Sequence, residues 1–378
     1  MNIGVDFLAD RLGESGCIGF HRNFIRWLGR YAEDEHYHIF VYEPEYEDYK
    51  KYQENERSVH LTSLGAGPGS LRRRLFDQHV RVPRLFRRLG IDRAFSDNII
   101  PVWGSRGIRW IFRVIMTQQF HKEFDPHPGR RVYRSFTTRF AVKRASKILP
   151  NSRFTMEELE RYCTLRGQPV AIIGDAYDNE VFYPLEKATV RPPLKTEFGL
   201  QRPYLLQVAN YLDHKNPTVS MKTLAELRRE GLDLDLVIIG SDPQRNRERY
   251  LSIALDLGIR DRLHLLPFQL PEKVRLFYNG AVCLLYPSTW ETFGIPPLEA
   301  MACGLPVVAS NRSAVPEVVG DAALQVDPRD IQGYVSAVKS LLQDPELRAR
   351  MIARGLARVE DFRWDKVVAR MREEILSA

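Results

Sequence analysis

The stretch from Tyr286 to Ser310, YPSTWETFGIPPLEAMACGLPVVAS, holds the residues best suited to chemistry. Glu291 and Glu299 have seven residues between them. That spacing alone is common in any charged chain, and its neighbours are what sharpen it. Glu291 follows an apolar run, AVCLLYP, that reads as a buried strand. It therefore lies where open α/β sheets bind ligands, outside the carboxyl ends of their strands. Gly294 permits close backbone approach to a ligand. Pro296 and Pro297 suit the first turn of a helix, where missing N–H groups cost little, and Gly304 suits its end. Glu299 then falls in the first turn of a short helix. Free N–H groups and a partial positive charge there favour an anionic or hydroxyl-rich ligand. A carboxylate at that point can accept two hydrogen bonds, as the vicinal hydroxyls of a ribose or hexose would supply. As an isolated pair, the two would be a solvated loop acid and an acid stabilising a helix dipole. The full string favours a ligand site.

The elements that must position this segment follow from periodicity. The chain opens with a strand, NIGVDFL, then a loop punctuated by Gly13, Gly16 and Gly19, then Phe24, Ile25, Trp27 and Leu28 at helical spacing. HYHIFVYEPE is a second strand. Residues 43–69 read as loop with a short edge strand. Ser70 to Leu89 reads as one basic helix, WIFRVIMTQQ as a strand, Tyr133 to Ser146 as a helix and KILPNS as a strand. Tyr183 to Pro193, YPLEKATVRPP, is proline-rich and reads as a turn-like linker. Beyond it, strands and helices alternate regularly: PYLLQVAN, PTVSMKTLAELRREG, LDLVIIG, RERYLSIALDLG, LHLLP, PEKVRLFYNG, AVCLLYP, PPLEAMACG, LPVVAS. Such alternation builds a parallel sheet wrapped by helices. The expectation is α/β, with two doubly wound Rossmann-like domains facing across a cleft. Residues 1–180 would form a first domain with a basic face, and residues 181–360 a second domain. Residues 361–378 would be a helix packing back on the first.

The Tyr286–Ser310 string resembles the signature of the family-4 retaining glycosyltransferases of the GT-B fold, the bacterial mannosyltransferase-like group 1 enzymes. The resemblance extends through SAVPEVVGDAALQVDP (Ser313 to Pro328), AIIGDAYDNEVFYP (Ala171 to Pro184) and VANYLDHKNP (Val208 to Pro217). In the second of these, Asp178 and Phe182 match the family pattern, and Gly174 and Asp175 depart from it. The match covers about residues 140–370, and the first 140 follow the family only in outline. The resemblance implies that Glu299 binds the nucleotide ribose and Glu291 the donor sugar's hydroxyls. Backbone N–H groups of Phe293, Gly294 and Ile295 would lie nearby, and Lys215 would hold the diphosphate. Where the family usually has an arginine, this chain has Asn210, which carries no charge. Diphosphate stabilisation would then rest more heavily on Lys215. Mannosyltransferases of the family also lack that arginine and read RKN where this chain has His214-Lys215-Asn216. This favours GDP-mannose over a UDP-sugar.

Other positions carry softer signals. The spacing of Gly13, Gly16 and Gly19 is GxxGxxG, so a nicotinamide fingerprint is not met. By resemblance, Gly16 or Gly19 would back onto the donor diphosphate, and a structural turn role is the alternative. The family histidine that touches the donor sugar falls on Gln118 or Gln119 here, with His121 slightly late. His121 is the catalytic candidate beside Glu291 and Lys215, and a surface loop histidine is its bland alternative. Base recognition would involve Leu266 to Leu270, with Phe268 either stacking or packing in the core, and the loop after Gly240. The one DxD, Asp233-Leu234-Asp235, reads as strand entry. No cofactor and no metal are expected, since lysine and helix N-termini can meet the charge that develops on a departing diphosphate.

The chain has 378 residues, 44% hydrophobic and 27% charged, which excludes wholesale disorder, collagen and coiled coil. Its four cysteines, Cys17, Cys163, Cys283 and Cys303, have neither zinc-knuckle nor disulfide-framework spacing. Charge is uneven. Between Arg72 and Arg153 there are 20 Lys/Arg against five acids, so a local excess of fifteen sits in a chain of net charge +7. Arg72, Arg73, Arg74, Arg81, Arg84, Arg87 and Arg88, with Leu75, Val82 and Phe86 beside them, suggest a basic amphipathic helix on anionic membrane. A solvated helix packed by its apolar stripe is the alternative. No reading helix or stacking platform for nucleic acid is found. The sequence reads as a cytoplasmic protein, peripheral on the inner membrane face. The expected function is transfer of a hexose to a glycan or lipid-linked acceptor in cell-surface polysaccharide synthesis, without change of anomeric configuration. A non-catalytic partner that binds sugar-nucleotide or glycan is the alternative, and Asn210 is its support.

Overall fold

A computed structural model describes residues 1–8, 16–67, 70–97, 104–124 and 127–378. The chain divides into two compact units, Met1–Asp175 with Trp364–Ala378, and Ala176–Arg363. Unit 1 holds a six-stranded parallel sheet: β1 (Asn2–Asp6), β2 (His36–Val41), β3 (Val59–Ser63), β4 (Arg93–Ser96), β5 (Arg109–Val114) and β6 (Lys147–Pro150). Its spatial order is β3-β2-β1-β4-β5-β6. Unit 2 repeats the plan with β7 (Tyr204–Val208), β8 (Asp235–Ile239), β9 (Leu263–Leu266), β10 (Leu284–Tyr286), β11 (Val307–Ser310) and β12 (Leu324–Val326). The order there is β12-β11-β10-β7-β8-β9. In each sheet the chain runs outward one way from a central strand and then turns to the other side, at β1/β4 and at β10/β7. Such a reversal opens a crevice at the carboxyl ends of the strands. The edge strands β3, β9 and β12 are partly covered, while the inner strands are buried along nearly their whole length, as LVII in β8 and LLY in β10 show. Helices on both faces demand that pattern.

Three segments differ from the sequence reading. Residues 43–69 are not mainly loop, because Glu43–Tyr49 is a helix. Its first turn holds Pro44 and the acids Glu43 and Glu45, all favourable at a helix N-terminus, and it buries Tyr49. The basic helix runs unbroken from Leu71 to Arg88 as the sequence reads it, but its middle, Asp77–Arg81, widens into a π-helical turn. Lys187–Phe198 is a helix despite Pro192 and Pro193 inside it. Burial of Val190 and Leu194 offsets the two lost backbone donors.

The last helix, Trp364–Leu376, is part of unit 1. Lys147 Nζ, at the start of β6, donates to Glu374 Oε2 at 2.8 Å and to Ser377 Oγ at 2.8 Å. Arg93 Nη1 donates to the carbonyl of Ile375 at 3.2 Å. Arg372 pairs with Glu33 and Glu35, and the Trp364 ring lies 5.3 Å from that of Phe20.

Candidate active site in unit 2

The loops after β7 and β10 bracket the crevice of unit 2, and hydrogen bonds fix both. The β7 loop ends in a short turn, Asp213–Lys215, and in Asn216 at φ 55°, which starts the helix Pro217–Arg229. Asparagine tolerates that left-handed conformation better than most residues. Asn216 Nδ2 donates to the carbonyls of Pro287 (3.2 Å) and Pro328 (2.8 Å). Gln207 Nε2 donates to Lys215 O at 2.8 Å, and the Thr289 N–H donates to His214 O at 2.8 Å. Lys215 is thus held at a fixed height above the sheet, and its ammonium reaches the β10 loop. There Nζ lies 2.7 Å from Glu291 Oε1 and 2.8 Å from Oε2. The Tyr286 hydroxyl donates to Oε1 at 2.6 Å. The Glu291 N–H donates to Ser313 Oγ at 2.9 Å.

Burial pushes the Glu291 carboxyl up, but the Lys215 ammonium and the Tyr286 hydroxyl outweigh it and hold the group below its ordinary value. Glu291 is therefore a carboxylate at neutral pH. Burial and the adjacent Lys215 charge lower His214 to about 4, leaving a neutral imidazole. A lysine has three N–H donors and a carboxylate about four acceptor positions. Among the described residues two of the former and three of the latter are used, so one N–H of Lys215 and one lone pair of Glu291 remain for a ligand.

Glu299 sits in the first turn of the helix Ile295–Ala302. It is half-buried, and Tyr278 Oη donates to its Oε2 at 2.8 Å. Burial raises its carboxyl to about 7, Tyr278 opposes the rise, and Asp178 adds to it. Gly294 at φ 114° turns the chain into this helix, and a Cβ there would stand 3.3 Å from the Tyr286 ring. With Pro296 and Pro297 next, the upstream donors are few. Among the described residues, the N–H groups of Phe293, Gly294 and Ile295 make no hydrogen bond. The Phe293 side chain is buried, edge-on to Phe362. Asn210 Oδ1 accepts from the Ser241 N–H at 3.1 Å, tying the β7 loop to the exit of β8. A Cβ on Gly240 would lie 2.1 Å from Ala209 O, so only glycine lets these two loops touch. Phe268 is not core: it is 44% exposed on the loop after β9.

The structure thus brings Lys215 and Glu291 into direct contact, with Glu299, Gly294 and Asn210 on the loops and helix at the same end of the sheet. His121 belongs to unit 1. Its Nε2 pairs with Glu158 and its ring meets Phe124 and Tyr162 edge-on, so its imidazole is engaged in local structure. Gly19 lies in the helix Gly16–Tyr31, and among the described residues a Cβ there would meet nothing within 4 Å. Gly13 lies outside the described residues. Asp235 opens β8, with His264 Nε2 3.1 Å from its Oδ2, and Asp233 pairs with Arg202 and Arg262. Sequence reasoning missed Tyr286, Tyr278 and Ser313, the partners of the two glutamates. It also missed a buried cluster at the β1/β4 reversal of unit 1. There His21 bonds Tyr49 Oη through Nδ1 and Asp97 through Nε2, each at 2.9 Å, and burial lifts Asp6 to about 7. Tyr286 and Tyr278 lay in apolar runs that looked like core alone.

Residues 193–358 match the model of the family described as "Glycosyl transferases group 1". A D-inositol 3-phosphate glycosyltransferase of Acidothermus cellulolyticus is 29% identical over 253 residues, 64% of this chain and 55% of that protein. The O-antigen chain mannosyltransferase B of Escherichia coli is 46% identical over 94 residues, 25% of each chain. The matched segments thus span about half the first relative and a quarter of the second. The crystal structure of Anabaena HepE in complex with UDP-glucose superposes with a TM-score of 0.79 over 100% of both chains, at 14% identity. Two Rossmann-like units with this sheet order define the GT-B fold. Within it, the match to the group 1 glycosyltransferase model falls on residues 193–358, in unit 2.

Proposed function

We propose that this protein is a glycosyltransferase that moves a hexose from a nucleotide-sugar to a glycan or lipid-linked acceptor in cell-surface polysaccharide synthesis. GDP-mannose is the favoured donor and a UDP-sugar the second. Transfer retains the anomeric configuration and needs no metal. One observation carries the reading: at the strand reversal of unit 2 a lysine and a carboxylate form a fixed pair, each with one hydrogen-bonding position left over. The resemblance of the β7 loop to RKN-type mannosyltransferases supports the donor, as does likeness over 94 residues to a protein named as a mannosyltransferase. HepE was solved with UDP-glucose, and that keeps the second donor in view.

In this reading the acceptor hydroxyl attacks the anomeric carbon on the face from which the diphosphate leaves. The new C–O bond forms as the sugar–phosphate bond breaks, and the hydroxyl proton passes to the departing phosphate oxygen. Glu291 holds a sugar hydroxyl through its remaining lone pair. Lys215 gives its third N–H to the diphosphate. At ~4 Å and an effective dielectric of ~20, that charge is worth on the order of 4 kcal/mol. Glu299 receives the ribose hydroxyls. No helix of the described residues is long and apolar enough to cross a membrane, and we place the protein in the cytoplasm.

A thermal-shift panel of GDP, UDP, ADP and dTDP and their sugar conjugates, with and without Mg²⁺, tests this. Ligand at about 100 times its Kd adds ~2.7 kcal/mol of stability. A shift confined to one base and indifferent to metal is expected. Absence of any shift would mean that the donor loop is broken at Asn210 and would put the non-catalytic sugar-nucleotide- or glycan-binding partner first.

A further inference from the structure

The helix Pro128–Arg144, PGRRVYRSFTTRFAVKR, contains six basic residues and no acid. One side of it is in the core, where Thr137, Ala141 and Val142 are buried. The other side turns apolar groups outward: Val132 is 66% exposed and Phe136 61%. They stand one helical turn apart and so form a single ridge. Arg131, Ser135 and Arg139 border the same shallow depression as these two side chains, and Lys143 continues their stripe by helical phase. An isolated exposed apolar side chain needs no explanation. Two on one ridge, set among cations on a helix without one carboxylate, match the face of an interfacial helix.

The segment that the sequence favoured for this role is built differently. Val82 and Phe86 of the Val82–Arg88 helix are fully buried. Several of its arginines are engaged by the protein itself: Arg74 with Leu8 O, Arg81 with Leu64 O, Arg87 with Gly104 O and Arg73 with Asp77. Its apolar stripe is core at Val82 and Phe86, and its exposed Phe76 and Leu89 lie far apart along it instead of on one ridge. Engagement by the protein does not separate the two helices, since Arg139 donates to Tyr162 O.

We propose that the outward face of Pro128–Arg144 docks on an anionic lipid bilayer. Phe136 and Val132 enter the headgroup region while the surrounding cations meet lipid phosphates. This goes beyond the transferase reading and is measured without donor or acceptor, so either can fail alone. The test is co-sedimentation of the full chain with phosphatidylcholine vesicles containing about 40 mol% phosphatidylglycerol, and with pure phosphatidylcholine. Each is run at about 50 mM and about 500 mM NaCl. Binding only to the anionic vesicles, lost at high salt, is expected. Val132→Ser with Phe136→Ser, and separately Arg131→Glu with Lys143→Glu, should each lower partitioning at least ~10-fold, since one basic residue is worth about fivefold. Arg350→Glu, on an exposed face of unit 2, should not. Melting temperatures near that of the native chain establish that the variants fold. Equal affinity for neutral and anionic vesicles overturns the proposal. So does absence of binding at low salt, or native-like binding by the Ser pair. Retention of duplex DNA in a gel shift that survives the Ser pair, with no vesicle binding, would assign the basic face to nucleic acid instead.

Discussion

Glu291 and Glu299 are two carboxylates on one loop and helix with opposite protonation behaviour, and their partners explain it. Glu291 faces a lysine and stays ionised. Glu299 has no such cation beside it among the described residues: burial raises it to about 7, Asp178 adds to the rise and the neutral Tyr278 phenol only partly opposes it. An acid raised in the folded state is protonated there while the unfolded chain ionises. Its contribution is thus fully present below about 4.5 and lost as pH rises through about 7. Glu299→Gln should therefore leave the melting temperature unchanged near pH 4. It should raise stability on the order of 2 kcal/mol near pH 8. It should also weaken nucleotide binding about tenfold by isothermal titration, for want of a ribose acceptor; unchanged affinity would remove the ribose role. Glu291→Ala leaves the Lys215 ammonium without its partner. Turnover should fall by at least ~100-fold and nucleotide affinity by less, read as a split between kcat and the Kd of the nucleoside diphosphate. The glutamates were legible from the sequence because Gly294, Pro296 and Pro297 frame them. The tyrosines that set their charge were not, since a buried Tyr and a buried Phe look alike in an apolar run.

Strands followed from the sequence where apolar runs were short and bounded by turns, as LDLVIIG and LPVVAS are. Elements whose local signal conflicts with their packing did not. Lys187–Phe198 carries two interior prolines, and the burial of Val190 and Leu194 with the left-handed Gly199 at its end holds it helical. Glu43–Tyr49 is polar throughout, and the cue that was available was Pro44 with two acids in one first turn. At this scale the site depends on how closely the β7 and β8 loops meet. Gly240→Ala would drive a methyl into the Ala209 carbonyl, 2.1 Å away. We expect a loss of about 2–4 kcal/mol in denaturant unfolding of unit 2, and of nucleotide-induced stabilisation with it. A variant as stable as the native chain would show that these loops have slack.

The whole molecule is two units of one plan, one of them interrupted in sequence. Unit 1 needs Trp364–Leu376 for more than apolar cover, because Lys147 at the start of β6 is nearly buried and Glu374 is its counter-ion. Glu374→Ala strands that ammonium in the sheet edge and should cost about 3 kcal/mol. The loss should show in hydrogen exchange of β5 and β6, with exchange in β7 to β10 unchanged; equal loosening of both sheets would contradict the division. The two-domain α/β plan is legible because both halves alternate strand and helix; the strand order within each sheet is not. Assignment of the final helix to the first unit is a packing matter: WDKVVARMREEIL would suit any apolar groove. The interruption also sets a timetable for synthesis. All of Ala176–Arg363 must be translated between the first and second parts of unit 1. At 5–20 residues per second that is a wait of roughly 10–40 s. Through that interval Lys147, Arg93 and the surface around Phe20 stand without their closing helix, while unit 2, whose residues are consecutive, can complete itself. The later segment therefore becomes native first, and the earlier one is where a nascent chain is most open to chaperones and proteases.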